Sequence, residues 1–344
     1  MTKILIVKLS SLGDVIHTIP FLKSLKESFP DSNIHWLISR SFKNIIEEIE
    51  LIDKIHIFER ERWRGIKNCI RYSKEIYNLF HTIEQEHYDL VIDFQGLFRS
   101  GLATYCSHAP RRIGFKNARE FAYFAYNEKV NIPENIQHAI DKNALLVEQA
   151  IHQKTKIDFP TIFNAEIQQK TKQWIQKDKI NIALIPGARW DSKKWSVENF
   201  AKLTEKFLKY SQIHFLILGG KSEQNLECYF KNANTTSLLG KTTMLELASI
   251  LQQVSLVVCN DSGPMHLSVA VQTPVLALFG PTDPKKTGPY GSQHKVLQAS
   301  MPCSPCRNRK CHKQNWCMNQ ITVEQVENGI KEILNNQKFT IINE

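Results

Sequence analysis

No stretch of this chain approaches the ~20 consecutive apolar residues that a membrane-spanning helix needs, and the apolar part of Met1 to Lys8 is too short for a secretory signal. Those absences predict a protein that stays in the cytoplasm. The glycine spacing of the dinucleotide fingerprint is also missing, which argues against a nicotinamide enzyme. There is no ribonucleoprotein-type aromatic motif, no zinc-finger spacing of cysteine and histidine, and no basic region running into heptads, so nucleic acid is not the expected partner. No short-period repeat occurs, which excludes a solenoid.

What is present looks globular: 344 residues, 42% hydrophobic and 23% charged, enough for two domains that each bury a core. The formal charge of +10 favours an anionic partner, whether nucleic acid, anionic lipid or a phosphorylated substrate, and does not choose among them. Arg60, Arg62 and Arg64 flank Trp63, a pairing of cations with an amphipathic ring that suits a membrane interface. A solvated charge run at a helix start is the plainer reading of the same residues. Of eight cysteines, Cys69, Cys106, Cys228 and Cys259 are scattered and read as small buried hydrophobes. The other four, Cys303, Cys306, Cys311 and Cys317, are crowded together. Four thiolates at these separations could hold a structural zinc, although the second pair is not a tight knuckle, and disulfides are disfavoured in a reducing cytoplasm.

Apolar patterning alternates between strand-like and helix-like segments, the order of an α/β protein with doubly wound halves. Strands are expected at Ile4–Leu9, Ile34–Ile38, Ile55–Phe58 and Leu90–Phe94, with helices near 42–50 and 66–86. A basic and aromatic stretch, Arg111 to Tyr126, is less regular, and a helix follows from His138 to Ile151. Lys154 to Pro160 reads as a linker. Alternation then restarts: strands at Ile180–Ile185, Ile213–Leu218, Leu256–Cys259 and Val275–Phe279, helices at Val197–Leu208 and Leu245–Gln252. The expected division is a first domain over 1–160, a second over 178–320, and a final amphipathic helix over 321–336 that docks across a domain surface.

Chemistry concentrates at strand ends, where open α/β sheets bind ligands. The first strand breaks at Ser10-Ser11-Leu12-Gly13-Asp14, and Asp14 is either a helix N-cap or a carboxylate free to reach substrate. Pro20 bears on the choice: either the following helix kinks there, or its regular part starts near Thr18 and Asp14 lies in a loop. Three junctions in the second half carry unusual polar residues. Pro186 to Trp195 offers Lys193, a point charge suited to phosphate or an ordinary basic loop residue. Leu218 to Glu223 joins a glycine pair to Glu223, a carboxylate able to bind ribose hydroxyls. Cys259 to His266 opens a helix, expected over Leu267–Val271, whose terminal N–H groups at Ser262 and Gly263 suit a diphosphate; Asp261 binds sugar hydroxyls or merely caps the helix.

Taken with Asp93-Phe94-Gln95-Gly96-Leu97, Arg112-Ile113-Gly114-Phe115, Arg119-Glu120, His138-Ala139-Ile140-Asp141 and Phe279-Gly280-Pro281-Thr282-Asp283-Pro284, these stretches resemble the lipopolysaccharide heptosyltransferases of glycosyltransferase family 9, from about residue 3 to 335. The resemblance implies a GT-B type α/β fold, two Rossmann-like doubly wound domains facing a cleft, the first binding acceptor and the second nucleotide sugar. It implies metal-independent, inverting transfer of heptose from ADP-L-glycero-D-manno-heptose to Kdo of Kdo-lipid A, at the cytoplasmic face of the inner membrane, with Asp14 as catalytic base. Lys193, Glu223, Asp261, Ser262 and Gly263 match donor positions. Ser10, Ser11, Gly13, Arg60, Arg62, Arg64 and Arg119 are assigned to the acceptor. The cysteine cluster departs from the best-known members, which leaves a family 9 enzyme adding a later core heptose as the close alternative. A non-catalytic protein that binds anionic lipid or RNA is the rival from another class.

Overall fold

A computed structural model describes residues 1–313, 316–337 and 339. The chain divides into two compact units, Met1–Ile162 and Phe163–Glu344. The first contains β1 (Lys3–Val7), α1 (Leu12–Ile16), α2 (Leu22–Ser28), β2 (Asn33–Ser39), β3 (Lys54–Phe58), α3 (Ile66–Arg71), α4 (Ser73–Gln85), β4 (Leu90–Asp93), α5 (Phe98–Cys106), β5 (Arg111–Phe115), β6 (Glu128–Val130) and α6 (Ala139–Ile151). All six strands are parallel, in the order β3-β2-β1-β4-β5-β6. Strands covered on both faces need continuous apolar runs, and Ile4 to Val7 are fully buried. Strand order reverses between β1 and β4, so the loops leaving those two strands border the crevice where such sheets bind ligands.

The second unit repeats the plan with α7 (Ala165–Thr171), β7 (Ile180–Ile185), α8 (Val197–Lys206), β8 (Ile213–Ile217), β9 (Thr235–Ser237), α9 (Met244–Gln253), β10 (Leu256–Asn260), α10 (Gly263–Ala270), β11 (Val275–Phe279), α11 (Pro284–Thr287), β12 (Lys295–Gln298), α12 (Trp316–Asn319) and α13 (Val323–Asn336). Its parallel order is β12-β11-β10-β7-β8-β9, with the reversal between β7 and β10. Helix α13 starts at a reciprocal cap between Thr322 and Gln325. Its face of Val326, Ile330, Ile333 and Leu334 packs into the second unit's own core with Trp195, Phe200 and Leu276.

Several expectations need correction. Pro20 neither kinks a helix nor delays one: α1 ends at Ile16, Pro20 opens a 3-10 turn over Ile19–Phe21, and α2 follows, so the missing N–H falls where no helical partner is required. The segment near 42–50 is a 3-10 helix over Arg40–Ile45, and the helix of 66–86 breaks at Tyr72. Strands β5, β6, β9 and β12 were not anticipated. Three of them are half-exposed edge or near-edge strands of three or four residues, too short for an apolar run to announce. Lys154 to Pro160 is no free linker, because Asp158 pairs with Lys23 at 2.5 Å and the Lys156 N–H donates to Ser24. Of the scattered cysteines only Cys259 is buried; Cys69 and Cys228 are exposed and donate to backbone carbonyls within their own turns.

Candidate functional site

In the first unit the chain leaves β1 through Lys8, Leu9 and Ser10 and enters α1 at Ser11. Asp14 is neither the N-cap nor a loop residue. It occupies the third helical position, where its Oδ2 accepts from the Ser11 N–H and the Ser11 hydroxyl, both at 2.8 Å, which fixes the carboxylate over the mouth of the loop. Lys8 is buried and donates to the Phe94 carbonyl at 2.7 Å. Burial pushes its ammonium below the usual lysine range, while Asp14 and Asp93 pull it back up and Arg119 repels it, so these four charges share one neighbourhood.

The loop after β4 is joined to this one. Gln95 Oε1 accepts from the N–H groups of Leu9 and Ser10 at 3.1 and 3.0 Å. Asp93 in turn accepts from the N–H groups of Gln95 and Gly96 and from the Tyr126 hydroxyl at 2.6 Å; its complete burial raises the carboxyl above the usual range. Tyr126 reaches Asp93 because Gly114 is bare: a Cβ there would lie 2.3 Å from the tyrosine ring. The motifs Asp93 to Leu97 and Arg112 to Phe115 thus meet in one scaffold beneath the Ser10 loop.

Arg60 joins the loop by donating to Ser10 Oγ at 2.8 Å. Arg62 instead pairs with Glu75 at 2.9 Å and lies 4.4 Å above the Tyr72 ring, and Arg64 is exposed. Trp63 is buried edge-on against Phe58, so it offers no ring to an interface. Arg119 is exposed, with its N–H bonded to the Gly96 carbonyl at 3.0 Å. The His17 and His138 rings lie 5.7 Å apart, and Asn143 holds the His17 carbonyl.

In the second unit the junctions after β7 and β10 converge. Lys193 Nζ lies 2.6 Å from Asp261 Oδ2, and the Thr282 hydroxyl donates to the same oxygen at 2.6 Å. Asp261 therefore does not cap α10; Ser262 is the residue at the cap position, and its buried Oγ has no hydrogen-bond partner among the described residues. A buried hydroxyl at a helix N-terminus suits an anionic ligand. Asn260 ties the two junctions together, accepting from the Trp195 N–H and donating to the Pro186 carbonyl. Glu223 Oε2 accepts from the Gly220 N–H at 2.8 Å, and its carboxylate lies beside Gly187 of the β7 junction.

Residues beyond the sequence reading complete this floor. Trp190 lies under both Lys193 and Arg309, at 4.7 and 5.6 Å from its centroid. The cysteine-bearing loop supplies Arg309 and fastens to the site: Ser192 Oγ donates to the Asn308 carbonyl at 2.6 Å, and the Arg307 N–H to the Pro281 carbonyl at 2.8 Å. Thr282 and Trp190 lay within stretches already singled out, whereas Lys8 carried no signal beyond being polar next to a strand end and Arg309, in the loop between β12 and α12, carried none.

The four crowded cysteines lie in one neighbourhood but do not form a ready-made metal cluster. Among the described residues no three of them bring their sulfurs within 4.8 Å of one another. Cys303 and Cys306 are exposed, and the Cys317 thiol is buried in the core under Gly280, where burial first and then the nearby Cys311, Cys306 and Cys303 thiols push its pKa up. The described group that does meet that spacing is His35, His56 and Glu86, at the opposite end of the first sheet. There Tyr88 bridges both imidazoles at 2.8 Å, and Lys3 and Lys54 already hold Glu86. Two ammonium groups on the carboxylate oppose a bound cation.

The profile of Glycosyltransferase family 9 (heptosyltransferase) matches residues 76–317. The chain is similar to lipopolysaccharide heptosyltransferase 1 of Pseudomonas aeruginosa, 27% identical with 91% of this chain and 88% of that one covered. It is similar also to lipooligosaccharide heptosyltransferase 2 of Campylobacter jejuni, 28% identical with 94% and 96% covered. Among solved structures, E. coli heptosyltransferase WaaC with ADP superposes with a TM-score of 0.78, 25% identity and coverage of 96% and 100%.

Proposed function

Because the chain belongs to glycosyltransferase family 9, we propose that it moves heptose from ADP-heptose to Kdo of Kdo-lipid A, with Asp14 as the base. The observation that carries this reading is the placement of Asp14 at the end of β1, where Ser11 orients its carboxylate and the crevice of the first sheet opens. The carboxylate takes the proton of a Kdo hydroxyl as that oxygen bonds to the anomeric carbon of heptose. The bond from that carbon to the diphosphate breaks on the opposite face, and ADP leaves with the electron pair, inverting the centre.

Charge developing on the diphosphate is met by Lys193, by the Ser262 hydroxyl and by the Gly263 N–H at the start of α10, so this reading asks for no divalent metal. This reading assigns the ribose to Glu223 and the sugar to Asp261, whose carboxylates are held by the Gly220 N–H and the Thr282 hydroxyl. Ser10, Ser11, Gly13, Arg60 and Arg119 form the acceptor side, where cations suit Kdo carboxylates and lipid A phosphates. A later core heptose is the second reading, favoured by the similarity to a heptosyltransferase 2. No described helix is long and apolar enough to cross a membrane; with a lipid-borne acceptor, this reading has the enzyme work peripherally at the cytoplasmic face of the inner membrane.

The test is a transfer assay with ADP-heptose against Kdo-lipid A and, separately, against an already heptosylated acceptor, read by product mass. Gain of one heptose on Kdo-lipid A is the expected result. Transfer only to the heptosylated acceptor establishes the second reading, and transfer to neither contradicts both.

A further inference from the structure

A lipid-borne acceptor must be met at a surface, and the arginine run around Trp63 does not offer an apolar one of the expected kind because that ring is buried. The first unit does expose an aromatic face elsewhere. Along α5, Phe98, Leu102 and Tyr105 are 58%, 37% and 58% exposed, and their spacing of four and three residues puts them on a single stripe. Beside α5 runs the 3-10 turn Ala122–Ala125, where Phe121 and Phe124 are each 71% exposed. The two elements touch closely because Gly101 has no side chain: a Cβ there would lie 2.9 Å from the Ala122 Cα. Glu120 accepts from the Phe98 N–H at 3.1 Å, and the Arg119 N–H donates to the Gly96 carbonyl, so the stripe and the turn form one continuous face.

The backbone holds this face outward against its own preferences. Glu120 and Phe121 both adopt left-handed backbone, φ +53 and +62, a conformation that costs a bulky residue energy. The rings of Phe121 and Phe124 stack on each other at 6.4 Å while most of their surface meets solvent. The turn buries Ala122 and Ala125 with Tyr126 and leaves both phenylalanine rings outside that cluster. Exposed aromatic patches of this kind mark a docking surface.

Charge identifies the occupant. From Gly96 to Phe124 the chain carries Arg99, Arg111, Arg112, Lys116 and Arg119 against the single carboxylate Glu120. Arg99, Lys116 and Arg119 are exposed in the same stretch of chain. Aromatic side chains rimmed by cations suit the headgroup level of an anionic bilayer, where the rings enter the interface and each cation adds about 1 kcal/mol near the surface. The face begins three residues after Gln95, whose side chain grips the Ser10 loop. We propose that the α5 stripe and the Phe121–Phe124 turn are the surface by which this protein sits on an anionic phospholipid bilayer, with the Asp14 loop facing the acceptor held there. The inference rests on the lipid-borne acceptor of the proposed function and extends it to named residues.

The experiment is sedimentation of the full chain with vesicles of phosphatidylcholine containing 30 mol% phosphatidylglycerol (about a third anionic lipid), without donor or acceptor. The wild type is expected to bind these vesicles, to bind pure phosphatidylcholine far more weakly, and to be released by salt. Phe121→Ser/Phe124→Ser should lower the partition by roughly tenfold or more with an unchanged melting temperature. Phe124→Trp supplies a positive signal, a blue shift of the new indole on adding anionic vesicles. Equal binding by wild type and double variant, or no vesicle binding by the wild type, overturns the proposal. A dimer that Phe121→Ser/Phe124→Ser dissociates, with no vesicle binding, overturns it in favour of a second copy of the chain. Since no sugar enters the assay, loss of the heptosyl-transfer reading leaves its outcome intact, and failure of docking leaves that reading standing.

Discussion

Lys193 Nζ and Asp261 Oδ2 lie 2.6 Å apart, joining the loop after β7 to the loop after β10 at the point where the strand order of the second sheet reverses. Both side chains are largely buried, 17% and 5% exposed. The pair pre-positions the ammonium, and Thr282 fixes the carboxylate from the other side. An arriving diphosphate then finds a cation already desolvated and held.

Lys193→Ala should lower transfer by roughly 10²–10³-fold, the scale of a lost transition-state contact to a leaving group. It should also destabilise the second unit by roughly 3 kcal/mol, because Asp261 stays buried without its partner. Adding Asp261→Asn should recover most of the melting temperature and none of the turnover. Recovery of both would assign Lys193 a structural role alone.

Wild-type transfer is expected to be insensitive to EDTA. Activity abolished by the chelator and restored by Mg²⁺ would show that a metal, rather than Lys193 and the start of α10, carries the diphosphate charge.

Arg60 and Arg62 should behave differently although they are two residues apart. Arg60→Ser removes the hydrogen bond to Ser10 and should raise the acceptor KM several-fold with ADP-heptose affinity unchanged. Arg62→Ser breaks an exposed pair with Glu75, worth up to about 1 kcal/mol, and should leave KM near the wild-type value. Steady-state kinetics with each substrate varied in turn separates the two.

Acid should begin to destabilise the protein at a pH above the ordinary carboxylate range. Burial lowers His56 and His214 from the ordinary 6.5 to about 4. Between those values the unfolded chain takes up protons that the native state refuses, so stability falls as pH falls from about 6.5 to about 4. Each histidine contributes at most about 3 kcal/mol over that window. Glu86, held down to about 2 chiefly by Lys54, adds a further loss only below about 4.5. Urea unfolding at pH 7 and pH 5 reads the difference, and His56→Gln should make the slope shallower.

The central strands were legible because strands covered on both faces must be apolar over most of their length, and Ile4–Val7, Ile182–Ile185 and Val275–Phe279 are apolar and buried. Strand ends were legible for the same reason: each run stops where polar residues gather. Edge strands were not, since β6 and β9 bury too little to need an apolar run. Asp14 was located but its geometry was not, because a five-residue helix has no periodicity to read and Ser11, not Asp14, turned out to be its cap. Pairing across loops was beyond reach as well. Nothing local says that Lys193 meets Asp261, that Arg60 rather than Arg62 reaches Ser10, or that Trp63 turns inward.

The most direct measurement is single-turnover transfer from ADP-heptose to Kdo-lipid A by Asp14→Asn, beside direct titration of ADP-heptose binding. With the amide unable to accept the proton, transfer should slow by roughly 10²-fold or more, with donor affinity and melting temperature close to wild type. Transfer at near the wild-type rate would contradict the account and leave Asp14 as no more than the partner of Ser11 in the first turn of α1.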